Sequence, residues 1–445
     1  MSIMKHTKRR RIVTSTLLLF LTFYSSYAQN EIYTYEDCIS YALEHSTKIH
    51  LSMAQDHINT ANYRDAIGRL LPNISASTSA NISYGRGIDP TTNTYTNTSS
   101  FRNGYGIEAQ LLIFDGLYSV FNIKRERLEQ IAGRESMKQT EQDVRMSTIE
   151  AYYNLLYTKE LKRLAIEHLT NSEHQRKQVE KMYDLGMKAR QDVSEMKALA
   201  AADRLKLAQQ SNQYEMAMLQ LKAIMNYPID QELIINDSLR YTDVTPTLLQ
   251  ADEVYAIALH KLPKALIAEE KLMSSKAAYK SIIGTFFPRI NLFAGVNTSY
   301  SFYMDGTPHE AFRDQIKNRY GAYVGATLSF DIFTGLKKSN SLRRAKAEYY
   351  AEENRRDETR NEIYKDIQEA ILNLNASVEE FNAATEQAHH LKEVFDAALK
   401  NYSVGNISSV ELSITATRAK DAEIEVARKL TIYLIQKEWL AYYIQ

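Results

Sequence analysis

A chain of 445 residues has room for two or three ordinary domains, and its 54 Lys+Arg balance 54 Asp+Glu to a formal net charge of zero. That balance lacks the basic excess that marks nucleic-acid binders, and no nucleic-acid partner is expected. Only 15 Gly and 7 Pro interrupt the chain, so long helices are expected, while 30 Tyr against 14 Phe and 1 Trp suit surfaces that are half apolar and half wet.

The first segment, 1–28, reads as a secretory signal peptide. Lys5, Lys8, Arg9, Arg10 and Arg11 form a basic region, Ile12 to Phe23 an apolar run, and Ser26 and Ala28 stand before the expected cleavage site. The run is shorter than the roughly 20 residues of a membrane anchor. No Cys follows the site to carry a lipid, and Cys38, the single cysteine, forms no disulfide within the chain. No later segment is apolar enough for a spanning helix. A membrane role therefore requires a β-barrel, the other structure that satisfies its backbone in lipid.

Residues 29–69 read as helical, and 70–116 as a pair of strands around a loop. In the first strand Ile74, Ala76, Thr78, Ala80, Ile82 and Tyr84 alternate with Ser75, Ser77, Ser79, Asn81 and Ser83. In the second, 104–114, Tyr105, Ile107, Ala109, Leu111 and Ile113 oppose Gly106, Glu108 and Gln110. The polar segment between them, 85–103, reads as a surface loop outside the cell. Residues 117–225 then read as a helical hairpin. From Leu117 to Met182 there is no Pro and one Gly, Gly133, which gives a helix roughly 100 Å long. After "YDLGMK" a second helix runs from about Arg190 to Met225. Ala202, Leu205, Gln209, Asn212, Met216, Leu219 and Ala223 step along it at coiled-coil spacing, as do Ile424, Ala427, Thr431 and Leu434 later on. Small and polar residues in that stripe suit helices packed on both sides in a wall, and an ordinary hairpin fits the periodicity equally well.

After a linker at 226–250 the plan repeats: a helix at 251–285, strands at 286–335 with a loop at 303–319, and a hairpin at 336–445. Pro288 matches Pro72 at a shift of 216. Gly325 matches Gly106, "FDIFTG" lies over "LLIFDG" and "YSVG" over "YDLG" at a shift of 219. The apolar parity of the strands coincides between the halves, with Tyr320, Ala322, Val324, Ala326, Leu328 and Phe330 on one face. Each strand, at about 11 residues, is long enough to cross a bilayer at a tilt. Four strands cannot close a membrane barrel, so either they belong to a soluble sandwich or hairpin packed on helices, or several copies share one barrel. Two copies would give eight strands and a filled interior, and three would give twelve and room for a pore.

Catalytic motifs are missing: there is no H-E-x-x-H, Walker loop or nucleophile elbow. His389 and His390 are adjacent on a helix and point apart, and Cys38 has no partner motif. The reading is therefore no enzyme, no cofactor and no metal.

The signal peptide, the duplicated strand-pair and hairpin plan, and the "YxxG" turns followed by an acid six residues after the Gly resemble the TolC-type outer-membrane efflux proteins. The "SYGRGIDPTTNTYTN" loop is similar to members from Bacteroidetes-type bacteria. The resemblance implies a mainly α fold with membrane β structure. Its long hairpins would form an α-barrel in the periplasm, and four transmembrane strands per chain would complete a 12-stranded barrel as a homotrimer in outer-membrane lipid. It implies an exit duct of a tripartite efflux or type I secretion system. That duct would be fed by a periplasmic adaptor (membrane fusion protein) and an inner-membrane pump of RND or ABC type, in the outer membrane of a Gram-negative bacterium. The adaptor would meet Leu185, Gly186, Met187, Val404, Gly405 and Asn406, the last departing from the family pattern. Glu411 would stand in the acidic ring of the periplasmic entrance, whose second acid falls on Ile414. Asp192 and Tyr402 match residues that hold the entrance closed, and the usual basic partner falls on Ile407. The alternative reading is a secreted, soluble coiled-coil scaffold or adhesin with a small β-domain.

Overall fold

The computed structural model describes residues 32–88, 93–97, 99–239, 244–306 and 308–444, and the signal peptide expected at 1–28 lies outside them. In chain order the elements are α1 (Tyr35–His45), α2 (Thr47–Gly68), β1 (Asn73–Ser83), β2 (Arg86–Ile88), β3 (Tyr95–Asn97), β4 (Ser100–Phe114), α3 (Tyr118–Asp184) and α4 (Arg190–Met225). The second half follows with α5 (Ala251–Lys261), α6 (Pro263–Gly284), β5 (Arg289–Tyr303), α7 (Phe312–Asn318), β6 (Gly321–Ser329), α8 (Lys337–Ser403) and α9 (Ser409–Ile444). The duplication governs these boundaries. α5 and α6 begin and end 216 residues after α1 and α2, and α8 and α9 begin and end 219 residues after α3 and α4. Among the described residues no helix is long and apolar enough to cross a membrane.

Local chemistry accounts for the helix ends. Thr34 and Asp37 exchange hydrogen bonds in a capping box at α1: the Asp37 N–H donates to Thr34 Oγ1 (3.3 Å) and the Thr34 N–H to Asp37 Oδ2 (2.9 Å). Pro263 opens α6, where a missing N–H costs nothing. Asn226 ends α4 in the left-handed conformation, with φ 57°, and Pro228 prevents further helix.

The chain forms two compact units. One comprises Lys48–Glu141, Leu249–Glu369 and the last three residues. It holds an antiparallel four-stranded sheet in the order β1-β4-β5-β6, with β1 and β6 as free edges among the described residues. Register sets the faces. Ala76 pairs with Ile107, Ile107 with Val296, and Val296 with Ala322, so one apolar face runs unbroken across all four strands. Ser77, Gly106, Asn297 and Gly321 form the corresponding row of the other, polar face. On that polar face a Cβ at Gly325 would lie 2.4 Å from the ring of Phe293, and one at Gly295 would lie 2.6 Å from that of Tyr323. Each aromatic thus covers the glycine paired directly opposite it.

Both connections in the sheet contain structure beyond the expected loops. Residues 85–103 hold the β2–β3 ribbon and the first residues of β4. Residues 303–319 hold α7, which is fastened to β5. The fully buried Gln315 accepts from the Ser301 N–H (2.9 Å) and donates to the Glu310 carbonyl (2.8 Å), and Thr298 Oγ1 donates to the Ile316 carbonyl (2.7 Å). A seven-residue helix is marginal alone, so these contacts, which local pattern cannot disclose, hold it in place.

The other unit comprises the chain up to Thr47, Gln142–Leu248 and Ala370–Tyr442. Ile39, Met146 and Ile149 form one cluster, enclosed by Tyr35, Leu43, Tyr153, Trp439 and Tyr442. Cys38 is fully buried, and burial, followed by the charges of Asp37 and Asp237, pushes its thiol up to about 12. The stripe expected on α4 is not its packed face, since Leu205, Met216 and Leu219 are exposed. The inward stripe is Met196, Ala200, Asp203, Leu207, Gln210, Tyr214, Ala217 and Leu221, also spaced 4-3-4-3. Asp203 is admitted because Lys420 Nζ donates to both its oxygens (2.8 and 2.7 Å). On α9 the expected Ala427 and Thr431 are indeed buried.

Candidate functional site

The residues singled out in the sequence meet at the two helix–helix turns, α3–α4 and α8–α9. Both turns have the same geometry. Gly186 (φ 74°) and Gly405 (φ 84°) take the left-handed conformation that ends a helix. The Gly186 N–H donates to the Tyr183 carbonyl (2.9 Å) and the Met187 N–H to that of Met182 (2.8 Å). The Gly405 N–H donates to the Tyr402 carbonyl (3.1 Å) and the Asn406 N–H to that of Asn401 (2.9 Å). Each turn therefore satisfies the helix's last carbonyls and projects its middle residues outward. Leu185 is 75% exposed and Val404 69%, with Met187 and Asn406 exposed beside them. Two apolar tips are thus presented next to backbone already bonded.

Asp192 and Glu411 are duplicates, each three residues beyond the N-cap, but they are used differently. The Ala189 N–H donates to Asp192 Oδ2 (3.1 Å), so the Asp192 carboxylate closes its own turn. The Ala189 methyl has no polar atom to return the bond. In the second turn Ser408 occupies the cap, and its Oγ accepts the Glu411 N–H (3.1 Å), which leaves the exposed Glu411 carboxylate outside the cap.

Tyr402 lies between the hairpins. It is 6% exposed and belongs to a cluster with Val179, Val193, Met196, Leu199, Ala398 and Leu412. Phe395 and Ile407, the position expected for a basic partner, pack against the same cluster. Among the described residues the buried Tyr402 hydroxyl has no hydrogen-bond partner. Burial, with the Asp192 charge second, pushes its pKa up to about 12. The cation on this ring is Lys188, whose Nζ stands 3.8 Å from the ring centroid and donates to the Tyr402 carbonyl (3.3 Å). Lys188 comes from the other turn, so this contact ties the two hairpins together. Sequence reading missed it, because spacing gives no sign of a partner 214 residues away. Alongside, a cavity of about 510 Å³ opens between α3 and α8, lined by His174, Val179, Met182, Phe395, Leu399 and Tyr402.

Charged pairs lace the helices leading from the turns. Glu173 takes Arg176 (2.8 Å) and Arg204 (2.6 Å), and His168 Nε2 lies 3.0 Å from Glu423 Oε2. His389 and His390 are exposed and both approach Glu393 (3.6 and 3.2 Å). Among the described residues no group of three His, Cys, Asp or Glu is placed to hold a metal ion.

The family model described as outer membrane efflux protein matches residues 38–227 and again 255–442, once on each half. No curated protein matches the chain. Similar solved structures include the outer-membrane protein VceC of Vibrio cholerae (15% identity, 92% of this chain and 95% of that one, TM-score 0.79). The outer-membrane channel CmeC of Campylobacter jejuni is similar at 14% identity, over 94% and 85% of the two chains, with a TM-score of 0.81. The open state of the MtrE outer-membrane channel of Neisseria gonorrhoeae is similar at 18% identity, over 92% and 88%, with a TM-score of 0.76. At these identities the likeness is one of fold.

Proposed function

Because the chain belongs to the outer membrane efflux protein family and so serves as an outer-membrane channel for efflux, we propose that three copies assemble into one duct. Each copy contributes four strands to a twelve-stranded barrel, and its hairpins form a helical wall in the periplasm. The observation that carries this reading is the sheet itself. It has an apolar face continuous over four strands, behind it a face mostly of Ser, Gly, Asn and Thr on which Phe293 and Tyr323 cover glycines, and, among the described residues, free edges at β1 and β6. Lipid forbids open edges, so a sheet of this kind needs further copies to close it.

The exposed tips at Leu185, Gly186, Met187, Val404, Gly405 and Asn406 are where a periplasmic adaptor docks, bringing an inner-membrane pump of RND or ABC type. Apolar side chains projecting beside bonded backbone suit the hot spots of such a contact. The chain catalyses nothing. It supplies a wet passage, and the pump supplies the energy. Three Glu411 carboxylates around the axis form an acidic ring at the entrance, with Ile414 in the position of the family's second acid, and they favour cations over anions.

Membrane fractionation tests the assembly. A heat-modifiable trimer in the outer-membrane fraction is expected, and recovery as a soluble periplasmic monomer would overturn the reading in favour of a secreted scaffold.

A further inference from the structure

Gly116 and Gly284 touch backbone to backbone where the first half of the chain meets the second. A Cβ on Gly116 would lie 2.0 Å from the Gly284 carbonyl oxygen, and one on Gly284 would lie 2.6 Å from that of Gly116. The duplication supplies a second copy of this pair, Gly335 and Gly68, at shifts of 219 and 216. Among the described residues both copies face open space, with nothing within 4 Å of a Cβ on either.

The strands beside them repeat the contrast. β4 runs over 15 residues, paired on both sides, whereas β6 stops after 9, at Ser329. Phe114 is 36% exposed, and its counterpart Phe333 is 80% exposed. The seam between the halves is thus built once and left half-built once.

The geometry points to the partner that completes it, resting on the trimeric reading above: β6 of one protomer pairs with β1 of the next in the register that β4 and β5 use internally. Gly106↔Asn297 and Phe114↔Ile290 become Gly325↔Asn81 and Phe333↔Ile74, with identical residues in both copies. Ile107↔Val296 becomes Ala326↔Ala80, which keeps the apolar face on one side, as a one-residue slip would not. Gly335 then packs on Gly68 of the neighbour. Residues 330–333, unpaired in the single chain, extend β6 along the neighbouring β1.

Cysteine cross-linking of the full-length protein in outer-membrane fractions, in a Cys38→Ala background, reads the register. Within one chain β1 and β6 stand three strand spacings apart, about 14 Å, too far for a disulfide. The Ala80→Cys/Ala326→Cys pair is expected to give covalent dimers and closed trimers on oxidation. Ala76→Cys/Ala326→Cys, displaced by roughly 13 Å along the strand, is expected to give none. Cross-linking of the displaced pair, or of neither, in a protein that still migrates as a trimer would overturn the register and leave the trimer standing. A soluble monomer would remove both. Gly68→Ala supplies the second arm, since a Cβ there meets nothing in its own chain. It is expected to abolish the heat-resistant trimer band while helix content by circular dichroism stays unchanged. Full retention of that band would take Gly68 out of the seam.

Discussion

Lys188 holds its ammonium 3.8 Å from the centre of the Tyr402 ring, so the turn of the first hairpin grips the last helical turn before the second. The ring is buried and its neighbours are apolar, which strengthens a cation's attraction to it. Such contacts contribute about 0.5–2 kcal/mol, so if this one holds the entrance closed, as the family resemblance of Tyr402 implies, losing it would shift the closed–open equilibrium by roughly two- to thirtyfold. Lys188→Met is expected to make channel openings more frequent by that factor in planar-bilayer recordings, and Lys188→Arg is expected to restore most of the closed time. Unchanged opening in Lys188→Met would mean that the Lys188–Tyr402 contact does not hold the entrance closed.

Glu411 and Asp192 occupy the same place in the repeat, yet only Asp192 spends its carboxylate on the turn. Glu411→Gln is expected to weaken block by a trivalent cation in single-channel recordings and to leave amide exchange in the turn as it was. Asp192→Asn is expected to do the reverse, raising exchange at Ala189 by the fewfold that about 1 kcal/mol of a cap implies. Identical block in wild type and Glu411→Gln would place Glu411 away from the constriction.

Much of this architecture is legible in the sequence, and the failures have physical causes. The sheet is legible because both faces are written twice, once in each half, so Ile107 and Ala326 report on each other. The turns are legible because only glycine is at ease at the φ of Gly186 and Gly405. The packed face of α4 is not, because the helix carries two stripes at 4-3 spacing. The two are about equally apolar, and the one with Leu205 and Met216 lies on the exposed side of the protomer. The buried one contains Asp203 and Gln210, which look like surface until Lys420 is placed beside the former. Lys188 and α7 were hidden for the same reason: each is defined by a partner on another element.

Acidification is expected to loosen the helices behind the turns. The hydrogen bond from His168 is the main cause that holds the Glu423 carboxyl below its ordinary 4.5. On acidification the unfolded chain takes up this proton first. The stabilisation is therefore present above about pH 4.5 and lost as pH falls through the lower folded value. Glu423 is partly exposed, so solvent screening limits the effect to about 1 kcal/mol. Melting of the detergent-solubilised protein between about pH 3 and pH 7 checks this. Wild type should exceed Glu423→Gln near neutrality and converge with it in acid, and a gap independent of pH would rule the pair out.

The two turns make equal demands on their glycines, which gives a prediction with its own internal control. Among the described residues a Cβ at Gly186 or Gly405 meets no atom within 4 Å, so steric crowding contributes nothing to the cost of an alanine there. What remains is backbone strain at a φ of 74° or 84°, about 1–2 kcal/mol for an L-residue. Gly186→Ala and Gly405→Ala should therefore each raise exchange of the capping amides, Met187 in one turn and Asn406 in the other, by roughly five- to thirtyfold. The two increases should agree within a factor of about three. Each should stay local, because the carbonyls that these amides cap are the last of α3 and α8 and support no later turn. A large effect at one glycine alone would mean that the second turn is held by something other than its own cap. Ile407, packed on the Tyr402 cluster, is the residue to test next in that case.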